Sequence, residues 1–174
     1  MKRVIFLLAL ALYVVSCRTH KSSNPDYKPL EYFGTDTLAF YKYNFEEHKD
    51  FYVGKEASYI INDMGKETSL VPIPKYDKQY KADCIKGAYL FLEPWEDIFL
   101  SNKGYSDRVI IWFYDDEYLL EDSYDEKMGE ERGKIPKDKS PQDVRDELNH
   151  KLRDYFFSDK KVKDIEVFRI DTKD

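Results

Sequence analysis

Three groups of side chains in this sequence could carry chemistry: a Glu-His pair, a lone interior cysteine and a dense run of carboxylates. Glu147 and His150 form a single E-x-x-H. That spacing puts two ligands near one another on a helix, as in half of a di-iron site, but the chemistry needs a second such pair and two more inward carboxylates. The sequence holds no second E-x-x-H and no H-E-x-x-H, and His20 and His48 stand far from this pair. With Val144 set at 0°, Glu147 falls at about 300° and His150 at about 240°, away from an apolar face centred at about 50°, so His150 is expected to face water. Cys84 sits in Asp83-Cys84-Ile85 without a nucleophile signature, and a lone cysteine of this kind reads as a small buried thiol. Serine-hydrolase, Walker and dinucleotide-binding motifs are absent from the sequence, so these residues assign no catalytic, cofactor-binding or metal-binding role.

The carboxylates are the stronger signal. Asp115 to Glu131 holds nine acids, and Lys127 is the one cation inside the run. Calcium takes 6–8 oxygen ligands in an ordered loop, and the alternating ligand order of such a loop is missing. The run therefore reads as a solvated strand extension and loop, partly neutralised by Arg132, Lys134, Lys137 and Lys139. Its residues Asp115, Asp116, Glu117, Glu121, Asp122, Asp125 and Glu126 form a candidate surface for a basic partner. Trp95, in the loop-like Glu93-Pro94-Trp95-Glu96-Asp97, joins that surface as an aromatic contact. An aromatic beside acids also suits a sugar, so a glycan- or peptidoglycan-binding or processing role is the alternative to a protein-binding one.

The chain must then supply elements to position these groups. It has 174 residues, 28 Lys+Arg against 34 Asp+Glu, a net charge of −6 and 16% aromatics. That length suits one domain, and that aromatic content argues against disorder. The acidic balance disfavours nucleic acid as a partner. Lys2 and Arg3 precede an apolar run from Val4 to Val15, too short to span a bilayer and suited to the h-region of a signal peptide. Val14-Val15-Ser16-Cys17 then resembles a bacterial lipobox. The resemblance implies cleavage after Ser16, diacylglyceryl transfer to the Cys17 sulfur and acylation of the new N-terminus, which anchors a protein through its lipid. Arg18 differs from the Asp that resembles an inner-membrane retention signal, and residues 18–22 lack the acidic cluster of surface-exported lipoproteins. The expected place is the cell envelope, at the outer membrane, facing the periplasm. Residues 1–16 are then the signal peptide, 17–35 the lipidated cysteine with a flexible tether rich in Ser, Asn and Pro, and 36–174 the folded domain.

Within that domain, residues 37–43 read as a short strand, and Asn44 with Glu47 as the cap of a short helix. Ala57, Ile60, Ile61 and Met64 recur at helical spacing before Gly65. Leu70–Ile73, limited by two prolines, suits a sheet edge. Gly87–Glu93 and Arg108–Tyr114 read as buried strands that pair as an antiparallel hairpin. Ser140, Pro141 and Asp143 open a helix, with Val144, Leu148, Leu152, Tyr155 and Phe156 expected on its buried face. Val162–Ile170 reads as a last strand. The expected class is α+β: an antiparallel sheet of about four to five strands with two or three helices on one face.

Phe45, Lys49, Phe51-Tyr52-Val53-Gly54-Lys55 and Ile60-Ile61-Asn62-Asp63 together resemble a pattern in small lipoproteins of Bacteroides-type bacteria. There an aromatic and a Gly-Lys precede a short apolar helix, and strands follow. That family carries no assigned activity, so the resemblance implies a compartment and an architecture but no catalytic residues. The helix-then-sheet order is also similar to small outer-membrane assembly lipoproteins, at the level of fold alone.

Overall fold

Strand alternation builds a sheet with one face committed to the core. The computed structural model describes residues 22–65, 68–77, 82–92, 104–114 and 119–171. Its strands are β1 (Ser69–Asp77), β2 (Ala82–Phe91), β3 (Tyr105–Phe113), β4 (Leu119–Leu120) and β5 (Val162–Asp171). They form one antiparallel sheet in the order β1-β2-β3-β5, with β4 pairing with β2 where β3 has left it. On the core face Leu90, Val109 and Val167 stand in register, as do Ala88, Ile111 and Ile165. All six are buried. Pro72 and Pro74 lie in β1, which pairs with β2 alone and is an edge, where a missing N–H costs no ladder bond.

The opposite face carries Tyr89, Arg108, Ile110, Trp112 and Phe168. Gly87 lies opposite Trp112. A Cβ there would collide with the Ile111 carbonyl oxygen and lie 2.9 Å from Trp112 Cε3, so the indole occupies the space that a side chain at 87 would need. Trp112 Nε1 donates to Glu166 at 2.7 Å. The Arg108 guanidinium lies 5.5 Å from the Tyr89 ring centre.

The helices are α1 (Thr37–Tyr41), α2 (Ser58–Met64), α3 (Glu121–Lys134) and α4 (Pro141–Phe156), and side chains from all four enter one core on the sheet's inner face. The fold is α+β, with four α-helices among the described residues where two or three were expected. Residues 37–43, expected as a strand, are instead α1 running into a π-helical turn, Lys42–Glu47. The β-favouring Thr, Phe and Tyr are overridden by a cap and by packing: Asp36 accepts from the Ala39 amide at 3.0 Å, and Phe40, Tyr41 and Phe45 are buried together. Asn44, expected as a cap, lies inside the π turn and is fully buried. Helix α2 buries Ile60, Ile61 and Met64, with Ala57 just before it. It ends at Gly65, whose φ of 97° only glycine adopts readily. On α4, Ser140 accepts from the Asp143 amide, as its cap should.

Folded structure starts well before Asp36. Asn24 turns the chain by accepting from the Asp26 amide, and it donates to the Tyr52 hydroxyl at 3.3 Å. Tyr52 donates to Asp63 Oδ2 at 2.9 Å, and Tyr27 donates to the Asp63 carbonyl at 2.7 Å. Burial first, then Asp63, pushes the Tyr27 phenol up to about 12, so it remains a donor. Asn44 clasps the same segment, accepting from the Lys28 amide and donating to the Lys28 carbonyl, both at 2.9 Å. Leu30 and Phe33, in a 3-10 turn, pack on the core. The Ser, Asn and Pro read as a tether over 22–35 are turn-formers in a docked strap. Across the sheet, buried Asp107 is gripped by Arg169 at 2.6 and 2.9 Å and by the Thr37 hydroxyl at 2.6 Å, tying α1 to β3 and β5.

Candidate docking surface

The expected acidic loop is, from Glu121 onward, helix α3. Glu121 and Asp122 occupy its first turn and Arg132 and Lys134 its last, the order that complements a helix dipole. Two side chains four residues apart face inward. Tyr124 is buried against Phe156 and Phe157, with ring centres 5.3 and 6.0 Å apart, and Met128 packs on the core. Burial, then Asp125, raises the Tyr124 phenol to about 12.

Charge divides α3 into two halves. In the C-terminal half, Lys127 pairs with Glu130 at 2.9 Å and Glu131 at 3.5 Å, and Lys134 pairs with Glu131 at 2.6 Å. Lys151 of α4 reaches Glu131 at 3.8 Å and Glu147 at 2.9 Å. Hydrogen bonds from these lysines hold the Glu130 and Glu131 carboxyls below their ordinary range. In the N-terminal half, Glu121, Asp122, Asp125 and Glu126 form no ion pair among the described residues. Asp122, Asp125 and Glu126 are exposed and share one face, at i, i+3 and i+4.

Beside this face runs a shallow cleft of about 290 Å³ between α3 and α4, lined by Ser123, Glu126, Lys127, Glu130, Tyr155 and Phe156. Tyr155 is 64% exposed, with Lys127 Nζ 5.1 Å from its ring centre. This corrects the expected face of α4. Leu152, Arg153 and Phe156 are buried, and Asn149 accepts from the Leu70 amide of β1 at 3.1 Å. With Val144 at 0°, those four positions lie at about 80°, 180°, 120° and 140°, and Leu148, packed on the core, at about 40°. Leu148, Leu152 and Phe156 therefore meet the core as expected, and the buried face is turned by about 60° toward Asn149 and Arg153. Tyr155 swings out to solvent, and His150, expected to face water, is half-buried. The sequence could have warned of this: Asn149 and Arg153 share one side of the helix, Asn149 short enough to bond a close-packed backbone and Arg153 able to bury its stem.

Glu147 of the E-x-x-H is occupied by cations. Hydrogen bonds from Lys139 first, then Lys151, hold its carboxyl at about 2. Among the described residues no three His, Cys, Asp or Glu side chains converge as metal ligands. Cys84 is buried. Cys17, Trp95, Asp115, Asp116 and Glu117 lie outside the described residues. The surface therefore offers carboxylates and one exposed phenol ring, a combination that receives Lys or Arg by charge and by cation–π contact.

Comparison with protein-family models, with curated proteins and with solved structures finds no match for this chain.

Proposed function

We propose that this protein is an envelope lipoprotein, anchored through lipid on Cys17 at the outer membrane and facing the periplasm. It acts as a non-catalytic module that docks a basic segment of an envelope protein. The observation that carries the docking is the charge division of α3. Acids in its C-terminal half are neutralised by Lys127, Lys134 and Lys151, while four in its N-terminal half have no ion-pair partner among the described residues. Glu121 and Asp122 suit the helix dipole where they stand, but Asp125 and Glu126 lie beyond the first turn, exposed, with neither a lysine partner among the described residues nor the dipole to hold them. The lipobox and the short apolar h-region support the anchor, and the net charge of −6 supports a basic protein partner over nucleic acid.

Two experiments on cells test this. Metabolic labelling with a fatty-acid probe should mark the parent and not Cys17→Ala, and labelling of both would end the lipoprotein reading. Crosslinking in intact cells followed by mass spectrometry should recover a partner whose yield falls with rising salt and in the Asp122→Lys, Asp125→Lys, Glu126→Lys triple variant. Equal yield from the parent and the triple variant would end the docking reading.

A further inference from the structure

The strap lies in a groove that the rest of the domain builds without it. Three buried polar side chains floor that groove: Asn44 of the π turn, Tyr52, and Asp63 of α2. Asn44 donates to the Phe40 carbonyl at 3.1 Å, and Tyr52 donates to Asp63 Oδ2 at 2.9 Å. The chain just after Tyr52 is bonded to the start of β5. The Gly54 amide donates to the Val162 carbonyl at 2.8 Å, the Val162 amide to the Lys55 carbonyl at 2.9 Å, and the Ala57 amide to the Lys160 carbonyl at 2.7 Å. None of these bonds involves residues 22–35, so the floor is held in place by the body of the domain.

What the groove recognises is a main chain and a spacing of apolar side chains. The Asn44 amide group takes both the N–H and the C=O of Lys28, a two-point clasp on backbone alone. Asn24 and Tyr27 satisfy the Tyr52 hydroxyl and the Asp63 carbonyl. Tyr27 and Phe33 meet Phe40 edge-on, with ring centres 6.1 and 5.9 Å away, and Leu30 packs on the same core. The Lys28 ammonium lies 4.0 Å from the centre of the Tyr43 ring. The occupant is thus read as Asn at 24, then Tyr, Leu and Phe at every third residue from 27 to 33. The peptide with that pattern is the strap itself, and every copy of the chain carries one.

A hinge divides the strap from α1. Gly34 has a φ of 65°, and a Cβ on it would meet nothing within 4 Å. Glycine is there for backbone freedom and not for close packing. On the far side of the hinge, α1 is capped by Asp36 and tied to β3 through Thr37 and Asp107, so it forms without the strap. A terminal segment, a groove built without it and a glycine hinge are the parts of a segment exchange between identical chains. We propose that the groove floored by Asn44, Tyr52 and Asp63 is a docking site for a second copy of this chain, which enters it with its own strap. Two copies then exchange straps about a two-fold axis. Each groove keeps the contacts described above and neither is left empty, so the pair closes on itself. The hinge alone changes conformation, and its backbone preference together with protein concentration sets the balance between monomer and pair. The exchange depends neither on the acidic face of α3 nor on the lipid anchor.

The test uses the whole protein as cells produce it, from one culture grown on light nitrogen and one on heavy, mixed in equal amounts, concentrated and incubated warm. A lysine crosslinker and mass spectrometry then read two pairs of positions in the dimer fraction. Lys28 and the exposed Lys42 report on strap and groove, on either side of the Tyr43 contact. Lys49 and Lys163, beside the ion pair of Lys49 with Asp164, report on the body of one copy. Links from 28 to 42 should become mixed in isotope, while those from 49 to 163 stay within one isotope. Gly34→Val disfavours the left-handed turn of the closed form and should raise the dimer fraction several-fold at equal concentration. Links from 28 to 42 confined to one isotope at every concentration would overturn the exchange. Equal mixing of both pairs would overturn it too, since that pattern marks two copies lying side by side. If Gly34→Val fails to fold, the isotope pattern of the parent decides.

Discussion

Helices α3 and α4 lie side by side and are held by opposite means. Helix α4 has a side-chain cap at Ser140, a proline in its first turn and a stripe of buried positions ending in Leu152 and Phe156. Helix α3 buries Tyr124, leans on Met128, and otherwise depends on charges placed at the ends that suit its dipole and on lysines at i+3 and i+4 spacing. Burial fixes one helix and leaves its surface incidental. Charge fixes the other, by ion pairs in its C-terminal half and by the dipole alone at its start, which leaves the acids of the first turns able to meet a cation from elsewhere.

The largest expected effect sharpens the packing side of this contrast. Leu152→Ala removes a side chain that is 3% exposed and should cost about 2–5 kcal/mol in a denaturant melt. Tyr155→Ala, three residues on and in solvent, should change stability by less than about 0.5 kcal/mol. Similar costs for the two would mean that the α4 face is not the one described.

A smaller effect probes the charge network that joins the helices. Lys139 and Lys151 depress the Glu147 carboxyl to about 2. A depressed folded value means that the contribution is present in full above about pH 5 and is lost as pH falls through the folded value. The parent should therefore lose more stability than Glu147→Gln on going from pH 6 to pH 2.5, as followed by thermal melts. Parallel loss in the two proteins would show that this network adds nothing in solution. The smallest effect is a null one: millimolar calcium should leave the melting temperature of the parent unchanged, because acids spread along a helix do not converge as 6–8 ligands. A rise of several degrees that vanishes in Asp122→Asn or Asp125→Asn would make α3 an ion site instead.

How much could be read in advance follows the same division. The apolar stretches of β1, β2, β3 and β5, α2 and the start of α4 were legible because apolar periodicity, a glycine stop and a Ser-Pro cap state them directly, whereas two-residue β4 and the polar ends of β1 and β2 carry no such signal. Helix α3 was not. Tyr124 and Met128 are its only apolar markers, two glycines interrupt it, and its helical order is written in charge pairs instead. The strap was missed for the converse reason. Ser, Asn and Pro signal loops, but Asn24, Tyr27 and Lys28 owe their order to Tyr52, Asp63 and Asn44, which are distant in sequence. The turn of α4 was lost because its buried side includes Asn149 and Arg153, polar residues that an apolar stripe does not count. Of the candidate surface, the acids were visible and their division was not, since a segment read as a loop does not set Lys127 and Lys134 at i+3 and i+4 from Glu130 and Glu131.

Docking of a basic partner on the acids in the first turns of α3 is tested by site-specific photocrosslinking in living cells. A photoreactive side chain at Ser123 sits among the acids without replacing one, and the same group at Glu46, an exposed acid in the π turn, is the control. The account predicts a defined adduct from position 123 that is absent from position 46 and is lost when Asp122, Asp125 and Glu126 are changed to Lys. No adduct at 123 above that at 46, or an adduct indifferent to those three charges, would contradict it.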